Sequence, residues 1–314
     1  MIVICPKCQT RYGLEDNQVD SPNFFARCAK CENTFTAYRP VRVQEVNFLD
    51  LEAAKKPEVN EHVIAISNQK GGVAKTSTCL NLGLALAMQG KRVLALDFDV
   101  QANLTISLGY KETTSFYDVL NGGSGASFED LTLQTKYENL WLFPSNKNMV
   151  LVNKKYFGAQ NFEFILKDRL TCIKDRYDYI LIDTPPSIEF FTLNALTAAR
   201  FVIIPSQCDY LSTHGIDQIL KLIGLIKSKS NPSIESRILV TMFDQQSTAS
   251  KMIRNKLKKL YPGMPYDTVI EMDNRIREAQ ILCMPVLQYN QDSKAGMQYL
   301  QLAKEILGQS PMRP

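Results

Sequence analysis

The sequence predicts an α/β fold: a doubly wound, mostly parallel sheet covered by helices on both faces, preceded by a small zinc ribbon. Three observations predict it. From residue 62 onward, near-continuous apolar runs alternate with helical patterns, as in buried parallel strands joined by crossover helices. Early in that region a strand, a glycine turn and a Lys-Thr pair opening a helix follow one another, the context a phosphate-binding loop requires. Before it, two C-x-x-C pairs stand close together.

The ribbon comes first, over residues 1–39. Cys5-Pro6-Lys7-Cys8 and Cys28-Ala29-Lys30-Cys31 have the spacing of a four-thiolate structural zinc site. So short a stretch buries little core, so the metal is expected to supply its folding free energy. Val3, Tyr12, Leu14, Phe24, Phe25, Phe35 and Tyr38 are candidates to cover the site. Disulfides and a redox pair are the alternatives. The first conflicts with a reducing compartment, and the second lacks a surrounding βαβ unit. Cys79, Cys172, Cys208 and Cys283 lie singly among apolar residues and read as core fillers.

Residues 40–61 contain Pro40 and Pro57, mix charges without a period, and read as a linker with a helical turn near 49–56. The large domain is expected over 62–308, with a tail at 309–314. Val63-Ile64-Ala65-Ile66 is its first strand, and Cys79 to Met88 is a helix ended by Gly90. Between them lies Asn68-Gln69-Lys70-Gly71-Gly72-Val73-Ala74-Lys75-Thr76-Ser77. The turn's amides and the helix N-terminus favour an anion. Lys75 suits β- and γ-phosphates, and the Thr76 hydroxyl suits Mg²⁺.

Further strands are expected at Arg92 to Asp97, Tyr179 to Asp183, Phe201 to Pro205 and Ile238 to Phe243. Helices are expected at Asp217 to Lys227, Ser250 to Leu260 and Ala295 to Ile306. Residues 111–140, with Gly122 to Gly125, read as a loop-rich insertion. Ligands of such sheets bind beyond the strands' carboxyl ends, where Asp97, Asp99 and Asp183 fall. Asp183 suits the magnesium shell and Asp99 the attacking water, with Asp97 close to both. A helix-capping role is the plainer alternative for any single one.

The chain has 314 residues, 45% hydrophobic and 22% charged, with a net charge of +4. That balance fits a globular protein and does not by itself imply nucleic acid. No apolar run approaches the ~20 residues of a membrane span, and no secretory signal is visible. A cytoplasmic protein without membrane attachment is therefore expected. On a helix over 250–260, Met252, Ile253, Leu257 and Leu260 would face the core, while Lys251, Arg254 and Lys258 would share an outward face. Such a stripe is either an ordinary solvated face or a binder of phosphates. His62 and His214 have no metal-ligand partner at suitable spacing.

Lys70-Gly71-Gly72-Val73-Ala74-Lys75-Thr76, Asp97-Phe98-Asp99-Val100-Gln101-Ala102-Asn103 and Ile182-Asp183-Thr184-Pro185-Pro186-Ser187 resemble the ParA/Soj/MinD family of deviant Walker P-loop ATPases. The likeness continues through Met242-Phe243-Asp244, Glu278-Ala279, Pro285-Val286 and Leu302 to Leu307. It implies a P-loop NTPase fold and an ATP-dependent homodimer in which Lys70 reaches the partner's phosphates. Gly71, Gly72, Val73, Ala74, Lys75, Thr76 and Ser77 would hold the nucleotide in cis. Thr76 and Asp183 would hold magnesium, and Met272 and Asn274 would lie against adenine. It further implies nonspecific DNA binding through Lys251, Arg254, Lys258 and Arg275, a nucleoid location, and an activating ParB-like or cargo-adaptor partner.

Four departures stand out. Ala74 and Ala102 occupy glycine positions of the pattern, Val100 a proline position, and Gln246 one where DNA-binding relatives often carry arginine. Competing readings are a positioning ATPase whose cargo is recruited through the ribbon, and a zinc-dependent regulator with a vestigial ATP site. An iron–sulfur carrier would need paired late cysteines, whereas Cys283 stands alone.

Overall fold

The computed structural model describes residues 2–8, 10–13, 23–38, 62–111, 114–121, 127–173, 175–209 and 212–308. The expected linker, the tail and Gly122 to Gly125 lie outside the described residues. The chain divides into two compact units, 1–54 and 55–314.

The first unit holds two antiparallel hairpins. β1 (Ile2–Ile4) pairs with β2 (Arg11–Gly13), and β3 (Asn23–Arg27) with β4 (Thr34–Tyr38). Each C-x-x-C pair sits at a tight turn. Cys5 N–H donates to Thr10 C=O and Cys28 N–H to Asn33 C=O, both at 2.9 Å. Phe25 is 83% exposed, contrary to the expectation that it covers the metal site. Side chains alternate along a strand, and this one falls on the solvent face.

The second unit is built on a seven-stranded sheet of order β11-β10-β5-β9-β6-β8-β7. Its strands are β5 (Val63–Ile66), β6 (Val93–Asp97), β7 (Leu133–Gln134), β8 (Leu140–Phe143), β9 (Tyr179–Asp183), β10 (Phe201–Gln207) and β11 (Glu235–Thr241). All pairings are parallel except β7 with β8. Both faces are covered. Alternate residues of β5 feed opposite cores: Val63 and Ala65 join one, Ile64 and Ile66 the other.

On the second of these faces, α1 (Lys75–Ala87) packs with α11 (Lys294–Gly308). Helix α1 is buried nearly all round, which fits a central helix rather than a surface one. The other face carries α3 (Phe116–Asn121), α4 (Met149–Tyr156), α5 (Ile165–Leu170), α6 (Phe190–Ala198) and α7 (Ser212–Lys229). Phe98 sits there fully buried, edge-on to Phe116 and Phe191. The loop-rich 111–140 stretch thus contributes α3, β7 and the buried Phe116 and Phe128. The remaining helices are α2 (Asn103–Ser107), α8 (Thr248–Leu260), α9 (Asn274–Ile281) and α10 (Val286–Tyr289).

Of the four single cysteines only Cys79 is fully buried. Cys172 is exposed just past α5, and Cys208 and Cys283 are half-buried. Apolar neighbours in sequence do not place a residue on an element's inner face. Likewise on α8, Leu257 is buried while Met252 and Leu260 are exposed. Here the expected four-residue apolar face shrinks to a narrow contact.

Candidate nucleotide site

The loop is set by what flanks it. Ser67 N–H donates to Ile203 C=O at 3.0 Å, continuing the β5–β10 ladder. The chain then turns through Gly71 and Gly72 into α1. Ala74 caps α1 with φ 69° and ψ 33°. This left-handed conformation suits glycine and strains an L-residue with a Cβ. Ala102, capping α2, shows the same strain at φ 53°. So both alanines that depart from the family's glycines occupy positive-φ positions beside the site.

A cleft of about 560 Å³ opens in front of the loop, lined by Gly71, Gly72, Lys75, Thr76, Ser77 and Asp99 among others. The N-terminus of α1 faces it, so amides and helix dipole favour an anion there. Lys75 is largely buried. Its Nζ donates to Lys70 C=O at 3.1 Å. Burial lowers its pKa, opposed by Asp183 and Asp99. Val73 is buried, and its carbonyl accepts from Thr241 Oγ1 at 3.2 Å.

Three carboxylates lie behind the loop. Asp97 and Asp183 are direct neighbours on β6 and β9. Asp97 is fully buried and turned toward α2: its carboxylate accepts from Thr105 N–H at 2.8 Å, Thr105 Oγ1 at 2.7 Å and Asp99 N–H at 3.2 Å. It does not line the cleft. Burial pushes its pKa up to about 7. Burial, then Asp97, raises Asp183 well above the carboxylate range. Asp99 reaches the cleft and is also raised by burial.

The fit to a hydrated magnesium rests on Asp183. Both its oxygens are buried without a hydrogen-bond partner. Thr76 lies near enough to favour the charged form, but outside hydrogen-bond geometry. A buried carboxylate with no partner is costly, and a cation's water shell would satisfy it. The ribbon fits zinc equally well. The four Sγ atoms of Cys5, Cys8, Cys28 and Cys31 all lie within 4.8 Å of one another, with Cys5–Cys31 at 3.6 Å and Cys8–Cys28 at 3.4 Å. A tetrahedron of Zn–S bonds places sulfurs about 3.8 Å apart.

Beside the cleft is a pocket of about 100 Å³ lined by Ala74, Met242, Met272, Asn274 and Gln280 among others. Residues 264–272 run along β11 and position it: Phe243 N–H donates to Ile270 C=O, and Met272 N–H to Phe243 C=O, both at 3.0 Å. Gln280 lines both cavities and donates to Ser77 Oγ at 2.9 Å. A groove of about 550 Å³ at the far end of α1, around Met88 and Tyr137, gathers none of the predicted site residues.

The basic stripe is only partly as predicted. Lys251 and Lys258 are exposed on α8. Arg254 is half-buried, its guanidinium 5.5 Å from the centre of the Phe243 ring. Arg275, on α9, donates to Asp292 C=O at 3.2 Å.

Sequence reasoning missed Asn68, Thr105, Gln207, Asp209 and Gln280. Asp209 was within reach. It follows the apolar run at 201–205, and the strand-end logic that picked out Asp97 and Asp183 applies to it too.

An AAA domain model matches residues 61–236, and a zinc-ribbon domain model matches residues 1–36. The chain is 36% identical to the chromosome partitioning protein ParA of Caulobacter vibrioides over 78% of this chain and 93% of that one. It is 37% identical to the sporulation initiation inhibitor protein Soj of Bacillus subtilis, over 78% and 97% respectively. Among solved structures, a cobyrinic acid a,c-diamide synthase from Mycobacterium smegmatis with bound ADP and magnesium is similar with a TM-score of 0.68 and 31% identity, covering 78% of this chain and 94% of that one.

Proposed function

Because this chain belongs to the ParA/Soj family of P-loop ATPases, we propose that it dimerises around Mg-ATP, binds DNA nonspecifically and partitions chromosome or plasmid DNA. A partner protein would stimulate its hydrolysis of ATP to ADP and phosphate. The observation that carries the reading is the cleft of about 560 Å³, where the loop, Lys75 and Asp99 meet with the unpartnered Asp183 buried behind them.

Magnesium bound there would supply positive charge to offset the charge on the phosphate oxygens in the transition state. This chain's residues do the rest. The amides of Gly71 to Ser77 and the Lys75 ammonium bind phosphate oxygens. Thr76 and Asp183 hold the metal and its water shell. Asp99, at the cleft wall, orients the attacking water. Lys70 reaches across to the partner subunit's phosphates, and Met272 and Asn274 flank the base. Lys251, Lys258, Arg254 and Arg275 meet DNA phosphates, the two lysines from exposed positions on α8. Cys5, Cys8, Cys28 and Cys31 hold zinc.

The test is ATP-dependent retention on DNA at low salt together with ATP turnover. We expect both from the wild type. Asp99→Ala should lose turnover, by about 10²–10³-fold if it orients the water. A wild type that ignores adenine nucleotides in calorimetry would end the proposal.

The exposed Phe25 on the ribbon favours a second reading, in which the same ATPase positions a protein cargo docked there. Phe25→Ser should then disperse the cargo in cells without altering ATP turnover. Unchanged cargo position would remove this reading.

A further inference from the structure

The first half of the phosphate loop is strapped to the end of β10 by side chains that phosphate binding does not require. Asn68 accepts Lys70 N–H at 3.0 Å and donates to Pro205 C=O at 2.8 Å. The Gln207 amide donates to Gly72 C=O. The Lys70 ammonium forms an ion pair with Asp209, just past β10. Helix α7 approaches so closely that a Cβ on Gly215 would lie 3.3 Å from Asn68 Oδ1 and 3.6 Å from Lys70 Cβ. Lys70 C=O meanwhile accepts from Lys75. Lys70 is thus held at its amide, its carbonyl and its tip.

We propose that Asp209 is a positioning residue that holds Lys70 back in the isolated subunit, so that ATP-dependent pairing of two subunits must first break the Lys70–Asp209 pair. The inference rests on the reading that Lys70 reaches the partner's phosphates. The ammonium cannot stay on Asp209 and also extend to a triphosphate in another subunit. The multiply charged phosphates outcompete one carboxylate, so the exchange runs forward once a loaded partner arrives. The strength of the pair is nevertheless subtracted from the association. Its side chains are 30% and 38% exposed, so solvent screens the pair and keeps it breakable. A fully buried pair would be far harder to separate. Asp209 therefore sets a threshold on pairing rather than blocking it.

Two measurements on the full chain test this. The first is reductive methylation of lysines in the nucleotide-free protein, read by mass spectrometry with the exposed Lys256 as internal reference. Asp209→Ala should raise the labelling rate of Lys70 several-fold relative to Lys256, and Asp209→Glu should restore the slow rate. An unchanged rate overturns the proposal. The second is sedimentation with magnesium and a non-hydrolysable ATP analogue. Asp209→Ala should dimerise at a concentration about two- to thirtyfold lower than the wild type, the range for two exposed ion pairs broken per dimer. Equal or weaker dimerisation by the variant, with the wild type still dimerising, overturns the proposal and leaves the dimer reading intact. A wild type and variant that both stay monomeric sink the dimer reading and the threshold together. The labelling then reports separately whether Asp209 holds Lys70.

Discussion

The two units reach stability by opposite routes. In the ribbon, the metal-binding groups are what hold it together: short hairpins place four cysteine sulfurs around one point, and a unit this short can bury only a small core. In the large unit, two cores sandwich a parallel sheet, and the polar part is a burden. Unpartnered Asp183 and left-handed Ala74 and Ala102 are tolerated because the surrounding packing over-determines them. A metal site can thus be the scaffold or be carried by one.

The largest expected effect breaks the comparison at the ribbon. Structural zinc contributes on the order of 10–16 kcal/mol to such units. A strong chelator, or Cys28→Ser, should therefore abolish amide protection in the β1–β2 and β3–β4 hairpins in hydrogen exchange. The melting of the large unit should not move. A large unit that melts with the zinc would show that the two are not independent.

The next blow falls on the core. Phe98→Ala should cost about 3–5 kcal/mol, lowering the denaturant midpoint of the large unit while zinc content stays constant. A loss under 1 kcal/mol would mean that the aromatic cluster around Phe98 is looser than its edge-on geometry indicates.

The burden of the buried carboxylates is visible in pH. The folded-state pKa of Asp97 is raised from 3.8 to about 7, so near neutrality the folded state binds more protons than the unfolded one. Stability therefore falls as pH rises toward and through 7. Between pH 6 and 8 the nucleotide-free protein should lose about 1.4 kcal/mol from Asp97 alone, and Asp97→Asn should flatten the slope. Binding of Mg-nucleotide, which favours ionised Asp183, should release protons in calorimetry across buffers of different ionisation enthalpy. Proton uptake would contradict the raised Asp183.

The smallest change sharpens the comparison by relieving strain. Ala74→Gly should stabilise the large unit by about 1 kcal/mol, because glycine adopts the left-handed conformation without the Cβ penalty. Denaturant titration checks this, and a destabilised variant would show that the loop is not strained there.

Much of this was legible in one dimension. Lys75 and Thr76 open α1, and Asp97 and Asp183 end β6 and β9 as expected, because apolar runs and a glycine turn are local signals. Each C-x-x-C pair is legible because it is a local turn, while the meeting of the two pairs joins separate hairpins. Other features were hidden. Met252 and Leu260 carry the helical period of α8 yet remain exposed, since periodicity gives a face and says nothing of how much neighbour covers it. The strain at Ala74 is a dihedral angle, which no residue list contains.

By itself, the sequence determined the alternation of strands and helices, the phosphate loop and the metal-binding spacing of the ribbon, since each is written in residues a few places apart. Only the tertiary structure decided that Asp97 turns to Thr105, that Asp183 is left bare, and that Asp209 meets Lys70. Those outcomes depend on which strands become neighbours. Sheet order joins residues more than a hundred positions apart, through contacts that no local pattern encodes.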